Sequence, residues 1–186
     1  REMEDSKYIV FTMPRTLARI PYDPMNNPVE EFHFIESVIN DPDKGFVWSS
    51  AAYAMALNIN HAFTEFGWCS CIRGVENGGM VNGLPVYAFK TDDGGMDMRC
   101  PTEIAITDRR EAELSKSGLL PLLHWKNTDY AVFIGAQSLY KPGEYEDPDA
   151  TANANLSARL PYLFAVCRFA HYLKCIVRDK IGSFHT

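Results

Sequence analysis

LPYLFAVCRFAHYLKCIV, residues 160–177, carries the strongest helical signal in the chain. Its apolar residues Leu163, Phe164, Val166, Phe169, Leu173, Ile176 and Val177 lie nearly all round a helix. Arg159, Arg168, Lys174 and Arg178 gather on no single face. A surface helix keeps one polar side, so a helix apolar all round is expected to be buried, here between a sheet of this chain and a second body. Pro161 either kinks this helix or opens a new one in its first turn, where the missing N–H leaves no bond unmade. Asp149 is placed to cap a helix beginning at Ala150, and Gly182 to end the long one.

Upstream, short apolar runs alternate with helical segments. Tyr8–Met13 (YIVFTM) reads as a buried strand that stops at Pro14. Val29–Ile39 fits strand and helix spacing equally. Ser49 or Ser50 can cap a helix containing Tyr53, Ala56, Leu57, Ala62, Phe63 and Phe66, with Gly67 as its stop. Trp68–Arg73 reads as a strand, followed by a turn through Gly74, Gly78, Gly79 and Gly83. Leu84–Lys90 and Ile104–Thr107 read as further strands, with a turn at Asp92–Gly95. Asp108 is placed to cap a helix over Arg109–Ser117 that Gly118 ends. Leu119–Trp125 and Tyr130–Ala136 form a strand pair around Lys126–Asp129. Strands and helices interleave irregularly and no linker divides the chain. The expected class is α+β, a mixed β-sheet with packed helices, in a single domain over residues 1–186.

Composition narrows the function classes. With 186 residues and 21.0 kDa, a compact fold exposes roughly 9,000 Å². Lys+Arg 18 against Asp+Glu 24 leaves a net charge of −6, and the basic residues form no dense patch. Such a chain is a poor match to a phosphate backbone, so nucleic acid is not an expected partner. The uncharged stretch Phe46–Thr64 contains Ser49, Ser50, Asn58, Asn60 and His61, which hydrocarbon penalises, so membrane insertion is not expected either. No secretory leader opens the sequence, and the first residue is Arg1. The chain reads as part of a longer protein. Five cysteines in mostly apolar surroundings favour reduced thiols and a cytoplasmic setting.

Several constellations of side chains could carry chemistry. Cys69 and Cys71 fall on one side of a strand, and Cys100 and His124 would complete a four-ligand zinc set. A structural zinc site normally shows two ligand pairs, and only one tight pair is present. Cysteine is also a common core residue. Cys167, His171 and Cys175 share one helical stripe, but its two thiols stand about 12 Å apart along the axis, beyond disulfide reach. Nucleophile-elbow, zinc-helix, phosphate-loop and calcium-loop patterns are absent. No catalytic, cofactor or metal residue is expected, and the chain is read as not an enzyme. The alternative is a cysteine- or zinc-dependent enzyme built on Cys69, Cys71, Cys100 and His124.

A family resemblance covers nearly the whole chain. Its residues include Asp129-Tyr130-Ala131-Val132-Phe133 with Gly135-Ala136-Gln137-Ser138, and Lys141-Pro142 with Asp147-Pro148-Asp149-Ala150-Thr151-Ala152-Asn153-Ala154. They continue in Leu160-Pro161-Tyr162, Arg168-Phe169-Ala170-His171-Tyr172-Leu173-Lys174 and Arg178-Asp179-Lys180-Ile181-Gly182. Upstream they include Ala51-Ala52-Tyr53-Ala54, Gly67-Trp68-Cys69, Ile72-Arg73-Gly74 and Thr107-Asp108-Arg109-Arg110-Glu111. Together these closely resemble the large sheath subunit of the bacterial type VI secretion system, the TssC/VipB (EvpB) family. Leu139-Tyr140 and Asn155 depart from the familiar strings.

The resemblance implies a contractile tail-sheath-like fold and a structural role. It implies pairing with a small, TssB/VipA-like sheath subunit and packing with other copies of the large subunit around inner-tube hexamers. It also implies contact with a baseplate, and disassembly by an ATP-dependent ClpV-type unfoldase. The chain would cover part of the family's C-terminal half, without the N-terminal region or the extreme C-terminal strands. A contractile phage-tail sheath would share the architecture. The candidate assembly contacts are Asp147 and Asp149 in the acidic loop, and Arg168, Lys174, Arg178 and Lys180 along the final helix.

Overall fold

The computed structural model describes residues 2–24, 27–36 and 45–181. Among the described residues, four α-helices and nine short strands follow an opening 3-10 turn at Glu4–Tyr8. The helices are α1 (Ala51–Phe66), α2 (Asp108–Lys116), α3 (Pro148–Ser157) and α4 (Leu160–Lys180). The strands are β1 (Phe11–Met13), β2 (Thr16–Leu17), β3 (Trp48–Ser49), β4 (Met80–Val81), β5 (Ala88–Lys90), β6 (Met96–Met98), β7 (Leu119–Pro121), β8 (Leu123–His124) and β9 (Ala131–Val132). The class is α+β.

The sheet expectation needs correction. Among the described residues there is no one mixed sheet but four small ones: β1 with β7, β2 with β3, β4-β9-β8, and β5 with β6. The β1–β7 pair is parallel, with Phe11 opposite Leu119, and the others are antiparallel. An extended run becomes a strand only if a partner lies within bonding distance. Trp68–Arg73 and Ile104–Thr107 find none and form no ladder, while Leu84–Lys90 pairs only at its end. Tyr8–Met13 shrinks to β1, and it is not buried: Phe11 is 56% exposed and Tyr8 68%. Val29–Glu36 is irregular, and Ile39 and Gly182 lie outside the described residues.

The helix ends follow local chemistry more closely. Ser50 caps α1, its hydroxyl accepting from the Ala52 amide at 3.2 Å, and Gly67 closes the helix at φ 69°. Helix α2 starts at its expected cap and α3 one residue before its own. Asp108 is the first residue of α2. Asp147, not Asp149, caps α3, accepting the Asp149 amide at 3.0 Å. Pro148 then sits in the first turn, where proline is favoured. Pro161 plays the same part for α4, so the chain has two helices there rather than one kinked helix.

One core joins these pieces. Ala51, Met55 and Ala62 of α1 meet Ile72, Leu120, Leu122, Ala131, Phe133, Ala136 and Leu160. Phe133, Ile72, Leu120 and Leu122 are fully buried. Each such side chain contributes about 1.5–3 kcal/mol through burial. A second, smaller cluster places Leu17 and Phe46 against Trp48 and Tyr87, with the Arg99 guanidinium 4.6 Å from the Phe46 ring centre. The turn after Ile72 is tied to Phe133 of the core. The Gly74 amide donates to the Phe133 carbonyl at 2.7 Å, and the Phe133 amide donates to Gly79 at 2.8 Å.

Candidate assembly surface

Helix α1 spends its inward face on small residues. Ala51, Met55, Asn58 and Ala62 recur at three- and four-residue spacing and are buried. Its other side exposes Tyr53, Leu57, Phe63 and Phe66. Helix α4 goes further. Only Leu160 and Leu163 are buried, while Phe169 is 60% exposed, Leu173 63% and Ile176 57%. The expectation of a buried final helix is therefore wrong for this chain taken alone. Hydrophobic spacing records that apolar cover is required but not which polypeptide supplies it.

Where α4 leaves the core it passes the end of α1, and Arg168 joins them. Its guanidinium carbon lies 4.4 Å from the Trp68 ring centre, 5.5 Å from Tyr172 and 5.7 Å from Phe63. Nε donates to the Tyr172 hydroxyl at 2.8 Å, and a terminal nitrogen donates to the Gly67 carbonyl. Gly67 caps the C-terminus of α1, where the helix dipole favours a cation. The Trp68 and Phe169 rings pack at 5.8 Å alongside. Of the four basic candidates, Arg168 thus has a use inside the chain. Arg168→Ala is expected to cost about 1–2 kcal/mol, read as a lower thermal midpoint together with a changed near-ultraviolet signal from Trp68. An unchanged midpoint and spectrum would show that the contact does not hold α4.

The other candidates are placed differently. Asp147 and Asp149 are exposed in the first turn of α3, where Asp147 is occupied as the cap. Lys174, Arg178 and Lys180 are exposed on the distal half of α4, and Arg178 pairs with Asp179 at 3.1 Å. The acidic pair and the basic group are not brought together into one site. The alternative metal set does not converge either: among the described residues no group of three His, Cys, Asp or Glu could hold a metal. His124 Nε2 is bonded to the Thr128 carbonyl, Cys100 lies 3.0 Å from the Thr102 hydroxyl, and all five cysteines are free.

Sequence reasoning missed the joint at which α4 is rooted. The Leu160 amide donates to Ala136 at 2.9 Å, and the Ser138 amide and hydroxyl both donate to the Ala158 carbonyl, at 3.2 and 2.7 Å. Gln137 and Arg159 form an isolated antiparallel bridge across the same joint. Ser138 is 1% exposed. Only the small polar residue in an otherwise apolar run hinted at a buried partner.

Comparison with known proteins fits this arrangement. Residues 1–140 match the family model described as EvpB/VC_A0108, tail sheath N-terminal domain. The chain belongs to the EvpB tail-sheath family. Residues 149–186 match a second model of this EvpB family, the tail sheath gpW/gp25-like domain. The break between the two matches falls just before α3, beside the joint described above. The type VI secretion system sheath protein TssC1 of Pseudomonas aeruginosa is 70% identical over 184 residues, which is 99% of this chain and 37% of that relative. The chain thus spans well under half the length of the EvpB relative that it matches.

Proposed function

We propose that this chain forms a structural part of the large subunit of a type VI secretion contractile sheath, acting without catalysis in the bacterial cytoplasm. In this reading residues 1–186 form one contractile tail-sheath-like domain. It packs with a small TssB/VipA-like subunit and with other large subunits into a helical tubule on a baseplate. The tubule surrounds inner-tube hexamers and propels them by contraction, after which a ClpV-type unfoldase dismantles it. The observation that carries the reading is the uncovered apolar face of α4 with the outer face of α1. A standard protein interface takes about 800 Å² from each partner, and the exposed large apolar side chains on these two helices include Tyr53, Leu57, Phe63, Phe169, Leu173 and Ile176. The family membership and the sheath name of the 70% identical relative support the same conclusion.

Helix α4 is also long and apolar enough to cross a membrane by length and composition, with mean hydropathy 1.3. Arg168 stands near its middle and is bonded to the end of α1, whose exposed positions include Asn60, His61 and Glu65. A guanidinium held there would carry polar surface into the hydrocarbon at high cost, which favours a protein partner.

The test is electron microscopy of the complete subunit produced with its small partner. Long hollow cogwheel-like tubules are expected. Dispersed monomers carrying stoichiometric zinc would overturn the sheath reading and return attention to Cys69, Cys71, Cys100 and His124. Charge reversal refines it. Lys174→Glu with Arg178→Glu and Lys180→Glu is expected to keep the fold and reduce the number of tubules, since rim charges steer association more than they stabilise a monomer. Asp147→Ala and Asp149→Ala test the acidic end in the same assay. Normal tubules from both sets would remove these residues from the contacts.

A further inference from the structure

Beside the joint of α3 and α4 lies a half-open groove of about 630 Å³. The C-terminal end of α2, the segment 137–142 and the side of α3 form its walls, with Lys116, Gln137, Tyr140, Asn153 and Arg159 among the lining residues. None of the exposed apolar residues of the distal half of α4 lines it.

Arg159 is the anomaly in this groove. Its main chain is committed, the amide donating to Leu156 at 3.1 Å and the residue bridging to Gln137. Its Nε is buried with no hydrogen-bond partner, and no carboxylate pairs with it among the described residues. Arg73 lies near enough to repel it, and burial and that repulsion together hold its pKa below the usual arginine value. A partly buried guanidinium with a second arginine's charge nearby and a donor unmade is unfavourable in the isolated chain. Planar two-pronged recognition of a carboxylate is what arginine does best. The groove is much larger than a simple anion needs and falls within the ordinary range for a ligand pocket. Its amide-bearing residues Gln137 and Asn153 can donate to and accept from a main chain.

We propose that this groove binds an extended acidic segment of a partner polypeptide, with Arg159 taking a carboxylate and Gln137 and Asn153 taking the segment's main chain. The inference goes beyond the sheath reading and does not rest on it, because peptide binding is measured on the subunit without tubules.

The experiment uses the complete subunit and a fluorescein-labelled peptide of alternating Glu and Gly, with the same peptide carrying Gln as control. Binding is read by anisotropy. The Glu peptide is expected to bind at least about 10-fold more tightly than the Gln peptide, with an affinity that falls as salt rises. Arg159→Gln is expected to weaken the Glu peptide by about 10-fold or more and, by removing an uncompensated charge, to raise the thermal midpoint of the free protein. A merely structural Arg159 would instead give a lower midpoint with unchanged affinity. Asn153→Glu, at an exposed position of α3, places a carboxylate in the groove and is expected to weaken the Glu peptide even if Arg159→Gln does not fold. Equal affinity for both peptides, no loss in the folded variants, or complete displacement by inorganic phosphate at matched charge would overturn the proposal, the last by reducing the groove to an anion site.

Discussion

The double substitution Leu173→Glu, Ile176→Glu leaves the subunit folded and abolishes tubules. Both side chains are more than half exposed and neither belongs to the core. Surface changes of this kind usually move stability by no more than about 0.5 kcal/mol, and glutamate is a good helix former. In the assembled state the balance reverses. Two carboxylates would enter an apolar contact without partners, at several kcal/mol for each subunit, and the helical lattice repeats that penalty along its whole length. Circular dichroism and a thermal melt are expected to match the parent, while micrographs show no tubules. Tubules of normal length and number would show that α4 is not the contact face.

Gly79→Ala is expected to destabilise the fold itself. A methyl group there would lie 2.5 Å from both the Gly74 amide nitrogen and the Phe133 carbonyl oxygen, and 2.6 Å from the Arg73 carbonyl carbon. All three are backbone atoms held in the turn, so no flexible side chain can swing away. Relief requires opening the bonds among Gly74, Gly79 and Phe133, and with them the burial of Ile72 and Phe133. The expected loss is about 4 kcal/mol or more, read as a fall in the urea midpoint at constant slope. Gly83→Ala is the control. Gly83 has φ 68° but open space around it, so only the left-handed backbone penalises a side chain, by about 1–2 kcal/mol. Equal losses at the two positions would mean that close packing at Gly79 is not the cause.

The contrast between these glycines also shows what could be read from sequence. Ser50 and Gly67 bracket α1 as expected because a cap is satisfied within one turn of its own residue. The turn at Asp92–Gly95 and the β8–β9 pair around Lys126–Asp129 were legible for the same reason, whereas the strand Met96–Met98 that closes the β5–β6 hairpin was not read. Trp68–Arg73 failed because apolar and extended describes a strand only when a distant segment arrives to pair with it. The length of α4 and its need for a second covering body were legible, but how little of it this chain covers was not, since periodicity does not name the covering chain. The family resemblance, carried by long ordered strings, reached the assembly role that no single constellation could. Arg159 was read only as one of several scattered basic residues. Its significance depends on Arg73 and the joint at Gln137, which lies over twenty positions back in the chain.

The root of α4 has a mechanical consequence. The helix is gripped at Leu160 and Leu163, and again by Arg168 against the end of α1, and it then continues for three more turns. At 1.5 Å per residue that overhang is about 18 Å long. A neighbour holding the tip therefore works through a lever, and a sideways displacement there reaches the body as torque about the Arg168 fulcrum. The bonds that resist it are the few between residues 136–138 and 158–160, on the boundary between the two family matches. A load on the tip would thus fall on the joint between residues 136–138 and 158–160 before it reached the core.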